Sequence, residues 1–199
     1  MKKTSLFILT LLLATSSAFA QSLILGRNIF PEGTFDIFGE SRLYPNGWKF
    51  PDPNDKPWQA GFRADVVKGE AGTKELRIVN PDAVGFTGVT GTLILPPKID
   101  RLRITFRILP KTLEFGAPDP AGNGAGIYAR FYDKDTKGVL GGWVGGGPVK
   151  STDTEWQDKE TIFTVPPSAV SLELQVALRS AKGEIRVDDI EVVPVGMSD

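Results

Sequence analysis

The chain has 199 residues, no cysteine and no histidine, and 23 lysines and arginines against 24 aspartates and glutamates. That composition excludes disulfides, histidine-dependent nucleophiles and histidine-ligated zinc. The near-balanced charge recommends neither nucleic acid nor an anionic membrane as a partner.

Residues 1–20 read as an export signal that is cleaved after Ala20. Lys2 and Lys3 form its basic start, residues 6–14 its apolar run, and Ala18-Phe19-Ala20 its small-x-small cleavage site. The apolar run is too short to span a bilayer, and no later stretch is long enough, so no membrane insertion is expected. No cysteine follows the run, which excludes a lipoprotein anchor. Removing the leader takes away two lysines and no acid, so the formal charge becomes 21 minus 24, or −3. Residues 21–199 are then expected to form one secreted or periplasmic domain, burying roughly 70% of the unfolded surface. Without disulfides it depends on apolar packing, to which a bound metal ion would add.

Residues 22–30 are mainly apolar and read as a short first strand. Residues 31–63 then concentrate proline and aromatic residues in a long loop, with turn chemistry at Asn46-Gly47 and at residues 51–55. Trp48 reads as a plug at one end of the core, whereas Trp58 and Phe62, beside Lys56 and Arg63, read as exposed.

Strands follow at regular spacing. Residues 75–79 place Leu76 and Ile78 on one face, and residues 86–95 form a strand interrupted by Gly88 and Gly91 and stopped by Pro96-Pro97. Over residues 101–109, Leu102, Ile104, Phe106 and Ile108 point inward and Arg101, Arg103, Thr105 and Arg107 outward. Over residues 126–133, Ile127, Ala129 and Phe131 oppose Tyr128, Arg130 and Tyr132. Residues 133–138 turn the chain into a strand at 139–144, and residues 156–165 form the next. Over residues 171–179, Leu172, Leu174, Val176 and Leu178 point inward, with Glu173, Gln175 and Arg179 outward. No convincing amphipathic helix occurs, so the pattern predicts an all-β sandwich or barrel of antiparallel sheets.

The last strand, residues 183–194, changes phase. Ile185 and Val187 share one parity, Ile190 and Val192 the other. A period-two pattern changes phase only through an inserted residue, which predicts a bulge at Asp188-Asp189. The acidic pair reads equally as a solvated turn and as an oxygen-rich site, which the acidic first segment, Glu32 and Asp36, would face if the chain ends meet.

Catalytic readings are weak. The glycine-rich residues 122–126 precede a strand, not a helix, so they offer no helix N-terminus to a phosphate. Glu155 and Asp158 beside Trp156 fall on opposite parities of a strand, which does not suit a glycosidase pair. Residues 133–138 open like a calcium loop but lack its later ligands and read as a hairpin turn. The row Tyr128, Arg130, Tyr132 spans about 13 Å of one face. Flat aromatic rings and planar polar groups are what sugar recognition uses, and Gln175, Glu173 and Trp143 add to both kinds. The same row also reads as a second small core, covered by residues 50–63. The Arg101, Arg103 and Arg107 row reads as cross-strand pairing with acids, or as contact with an acidic polysaccharide.

The order Asn28-x-x-Pro31-x-Gly33-x-Phe35-Asp36, Asn46-Gly47-Trp48, Trp156 leading to Phe163-Thr164-Val165-Pro166, residues 172–176 and Gly183-x-Ile185-x-Val187-Asp188-Asp189-Ile190 resembles the carbohydrate-binding modules of families four, nine and twenty-two. These are galactose-binding-domain-like jelly rolls, and the resemblance runs from Asn28 to Val193. It implies a structural calcium held by Glu32, Gly33, Asp36, Asp188 and Asp189, although typical members carry glutamate where Asp36 stands. It also implies a sugar chain on a concave sheet face, with Tyr128, Arg130, Tyr132, Gln175 and Glu173 as its contacts. From the residues themselves, Trp143, set between glycines, reads either as extending that platform or as filling the sandwich end, and the exposed Trp58 is a further candidate contact. Unlike most members, the chain is expected to act as a stand-alone module without an attached catalytic domain. The expectation is a non-catalytic binder of polysaccharide or oligosaccharide. The competing expectation is an interaction or structural β-sandwich of the cell envelope, with a polysaccharide lyase or hydrolase third.

Overall fold

The computed structural model describes residues 25–30, 33, 35, 48–50, 63–69, 72–83, 86–116, 124–133, 138–146, 149 and 154–197. These contain ten strands: β1 (Trp48–Lys49), β2 (Arg63–Lys68), β3 (Lys74–Asn80), β4 (Phe86–Ile94), β5 (Ile99–Phe115), β6 (Gly124–Tyr132), β7 (Val139–Gly146), β8 (Gln157–Thr164), β9 (Ser171–Arg179) and β10 (Ala181–Met197). They form two five-stranded antiparallel sheets, ordered β1-β4-β9-β6-β7 and β2-β3-β10-β5-β8. The fold is a β-sandwich of jelly-roll type. No helix among the described residues is long and apolar enough to cross a membrane.

Alternation builds the core as the sequence requires. Leu102, Ile104, Phe106 and Ile108 of β5 and Leu172, Leu174, Val176 and Leu178 of β9 are buried between the sheets. Each such side chain contributes about 1.5–3 kcal/mol by leaving water. At one end Trp48 closes the core, edge-on to Phe30 at 5.3 Å and tilted against Phe35 at 5.6 Å. Gly91, opposite Trp48 in register, leaves room for this plug: a Cβ there would stand 3.1 Å from the Phe30 ring.

The phase change in the last strand is a bulge. Asp188 pairs with Arg107 and Glu191 with Thr105, so three steps along β10 oppose two along β5. Asp189 takes a left-handed φ of 52°, and its amide donates to Asp188 Oδ1 at 2.9 Å. The extra residue keeps Ile185, Val187, Ile190 and Val192 all inward and buried.

The two ends of the chain meet on this strand. β3 pairs with the first half of β10, and residues 26–29 follow it along the second half. Gly26 and Ile29 donate backbone bonds to Pro194 and Val192, at 3.0 and 2.8 Å. Asn28 ties the contact: its Oδ1 accepts from the amides of Val192 at 3.0 Å and Phe30 at 2.9 Å. Residues 25–30 do this as turn and bend, not as the regular strand that their apolar character predicts. Gly33 continues the approach, since a Cβ there would overlap the carbonyl oxygen of Ile190.

Candidate functional site

Side chains on the outer face of the β1-β4-β9-β6-β7 sheet follow from register. β9 presents Glu173, Gln175 and Arg179, and its neighbour β6 places Arg130 opposite Glu173 and Tyr128 opposite Gln175. On the other side, β4 sets Thr90 opposite Gln175 and Gly88 opposite Ala177. A groove of about 460 Å³ crosses all five strand positions, lined by Lys49, Phe50, Gly88, Thr90, Arg130, Trp143, Glu173, Gln175 and Arg179.

The polar groups in this groove are held by one another. Arg130 Nη2 donates to Glu173 Oε2 at 3.0 Å, and the Tyr132 hydroxyl donates to the same oxygen. Arg179 Nη2 donates to Gln175 Oε1 at 2.8 Å. Both guanidiniums lie over the ring of Trp143, Arg130 at 4.4 Å and Arg179 at 5.1 Å from its centroid. Stacking of this kind fixes long side chains that would otherwise sample many rotamers. The result is a partly exposed indole beside two oriented guanidiniums, an amide and a carboxylate. That combination offers a partly exposed aromatic wall that carries oriented, planar hydrogen-bonding groups.

No family model matches the sequence, and no curated protein matches it. Solved structures do match the fold. The xylan-binding CBM22-1 domain of Paenibacillus barcinonensis Xyn10C superposes with a TM-score of 0.52 at 15% identity, over 86% of this chain and 94% of that one. A CBM4 structure superposes with a TM-score of 0.51 at 18% identity, over 82% and 97%. The fold is that of a carbohydrate-binding module. The enzymatically active domain of bacteriophage CBA120 tailspike protein 4 also matches, with a TM-score of 0.56 at 13% identity over 83% of this chain. There the chain spans only 21% of the enzyme's length, and it spans 27% of the arabinose-bound MgGH51 α-L-arabinofuranosidase. The structures it spans almost end to end are modules.

On this module fold, six of the seven residues expected to contact sugar share one sheet face, but not in equal standing. Arg130, Glu173, Gln175 and Trp143 line the groove. Tyr128 and Tyr132 do not stand free as a stacking platform, being 6% and 8% exposed. The reason is what lies over them: Arg179 covers the ring of Tyr128 at 4.4 Å, and Arg130 lies 5.2 Å from that of Tyr132. Behind Tyr128, Gly145 keeps the edge strand close, since a Cβ there would meet the ring at 3.0 Å. The tyrosines thus support the arginines, and Trp143 and Phe50 are the aromatic rings that line the groove among the described residues. Trp58 lies outside the described residues, as does most of the 50–63 loop; Phe50, at its start, forms part of the groove wall.

Burial first, and then the Glu173 carboxylate, push the Tyr132 phenol above its usual value. Its contribution to stability is therefore full below about pH 10 and is lost as the pH rises through the raised value. Ultraviolet titration of the folded protein should show this step above pH ~10. Tyr132→Phe should remove the step while leaving the Arg130–Glu173 pair in place.

Of the residues implied for calcium, Gly33, Asp188 and Asp189 are described, whereas Glu32 and Asp36 lie outside the described residues. Gly33 packs against the bulge at Ile190, and Asp188 is 5% exposed there. Asp188 Oδ1 accepts the Asp189 amide at 2.9 Å, and a carboxylate oxygen is a ligand type that calcium takes. Asp189 turns elsewhere, its Oδ2 lying 3.5 Å from Arg107 Nη1. No group of three or more acidic side chains placed to hold a metal occurs among the described residues.

The Arg101, Arg103 and Arg107 row lies on the other sheet, away from the groove. Arg107 pairs there with Asp158 at 3.7 Å as well as with Asp189, and Arg101 with Asp100 at 3.5 Å. Trp156 belongs to the same surface, with Arg107 4.8 Å over its ring. Sequence reasoning did not pick Arg179, Thr90, Gly88, Lys49 and Phe50 for the site. Arg179 shares the parity of Glu173 and Gln175, and that was the available signal.

Proposed function

We propose that the chain is an exported, non-catalytic carbohydrate-binding protein that holds a polysaccharide or oligosaccharide along the outer face of the β1-β4-β9-β6-β7 sheet. The observation that carries this reading is the groove itself, where a partly exposed Trp143 borders Arg130, Arg179, Gln175 and Glu173. A pyranose ring packs its C–H face against the exposed part of the indole, and the planar groups held on that indole bond the hydroxyls. The xylan-binding domain of the same fold supports the ligand class. A non-catalytic role is supported by the acidic groups available: Glu173 is engaged by Arg130 and Tyr132, and no second carboxylate lines the groove among the described residues. Glycoside hydrolysis ordinarily needs a pair of them. The leader-like residues 1–20 support export to the periplasm or the medium.

Binding of this shallow kind falls in the range of about micromolar to millimolar. Affinity electrophoresis in gels containing soluble glucan, xylan or alginate should retard the protein, with no new reducing ends and no unsaturated products on incubation. Migration that no polymer alters would sink the reading and favour a protein-interaction role for this face. Product release would make the chain an enzyme instead.

A structural calcium at the β10 bulge belongs to the same proposal, held by Asp188 and the Gly33 backbone with oxygens from Glu32 and Asp36. The ion would tie the first segment to the last strand. Chelator should then lower the melting temperature by about 5 °C or more, as expected for loss of a ligand present near 100 times its Kd. Superimposable melting curves with calcium and with chelator would remove the ion from the account.

A further inference from the structure

We propose that the groove selects a uronic-acid chain over a neutral one; the proposal rests on the sugar-binding reading above and names its ligand class. Three cationic side chains, Lys49, Arg130 and Arg179, line the groove, against one acid, Glu173, among the described lining residues. Two of the groove's acceptor atoms are already in use: Glu173 Oε2 takes both Arg130 Nη2 and the Tyr132 hydroxyl, and Gln175 Oε1 takes Arg179 Nη2. The cationic lining is rich in donors, since a guanidinium carries five N–H groups and an ammonium three, and neither accepts. Arg130 Nε is itself buried and has no hydrogen-bond partner.

A neutral sugar presents hydroxyls that both donate and accept, and their donor half competes for acceptor atoms that Arg130 and Arg179 already engage. A uronate presents two carboxylate oxygens with about four acceptor sites, whose spacing matches the guanidinium fork. Covering three cations that share one carboxylate among the described lining residues with a neutral chain would strip water from them without supplying a further counter-charge, which is unfavourable. Because both guanidiniums lie over Trp143, a sugar ring packed against the exposed part of that indole brings its C5 carboxylate within their reach. Lys49 at the rim adds attraction for a polyanion approaching through solvent.

Titration calorimetry of the full chain with oligomers of galacturonate, alginate and glucuronoxylan, each native and carboxyl-reduced, tests this directly. The native form of at least one is expected to bind at least roughly tenfold more tightly than its reduced form, the effect of one charge-assisted contact. Arg130→Gln should remove most of that difference, with an unchanged melting temperature confirming that the variant folds. Equal affinity for native and reduced oligomers would overturn the uronate assignment and leave the sugar-binding reading standing. Binding of dextran sulfate as tight as that of the best uronate would also overturn it, because charge alone would then be read. Failure to bind any of these, or any neutral glycan, would overturn both.

Discussion

Trp143→Ala is expected to weaken glycan binding by roughly 30-fold or more, the effect of losing an aromatic anchor worth about 2 kcal/mol. The indole lines the groove and is the surface on which Arg130 and Arg179 rest, at 4.4 and 5.1 Å. Its removal therefore takes away the aromatic wall of the groove and the ring on which both guanidiniums are oriented. Stability should change little. Trp143 is only partly buried, sits on edge strand β7 and is no part of the hydrophobic core. Loss of two cation–π contacts of about 0.5–1 kcal/mol each sets the expected ceiling on the stability change. Calorimetry and thermal melting of the same preparation separate the two effects. Unaltered affinity would mean that the ligand lies elsewhere, and a melting point lowered by far more than about 8 °C would mean that Trp143 is a structural residue.

The strands were legible wherever one face is buried, because alternation there is enforced residue by residue. β3, β5, β6, β9 and β10 follow from that pattern alone, and the bulge at Asp188-Asp189 follows from its change of phase. β2 was not foreseen. Ala64 and Val66 pack against the core, but Ala64 is a weak strand former and six residues between turn-rich stretches give little periodicity. β1, of two residues, carries no periodic signal at all.

The candidate site was half legible for a different reason. Alternation says which face a side chain leaves from, so Tyr128, Arg130 and Tyr132 were correctly expected on one face with Glu173 and Gln175. It does not say what folds over that face. Long arginine side chains lie down on apolar surface while their heads stay polar. Arg179 does this on Tyr128 and ends at 6% exposure, although it was expected outward with Glu173 and Gln175. Which strand stands beside β9 is a matter of sheet order, which a period-two pattern leaves open. That is why Gly88 and Thr90 of β4 entered the groove unannounced.

Gly33→Ala should destabilise the fold by about 3 kcal/mol, the overpacking range for a site whose neighbour cannot yield. The atom a new methyl would overlap is the Ile190 carbonyl oxygen, which is backbone on a strand that β5 holds on both sides of the bulge rather than the movable end of a side chain. The first segment would have to lift off the bulge, straining the bonds of Asn28, Ile29 and Gly26 to β10 and loosening Phe35 beneath Trp48. For a domain of this size the melting temperature should fall by roughly 6–12 °C. Gly142→Ala is the matched control, because an added Cβ there meets nothing within 4 Å. It should stay within about 0.5 kcal/mol of the parent. Should Gly33→Ala melt with the control, the amino-terminal segment cannot be seated on the last strand in solution. The proposed calcium, whose ligands depend on that seat, would be lost with it, whereas the groove on the opposite sheet would be untouched.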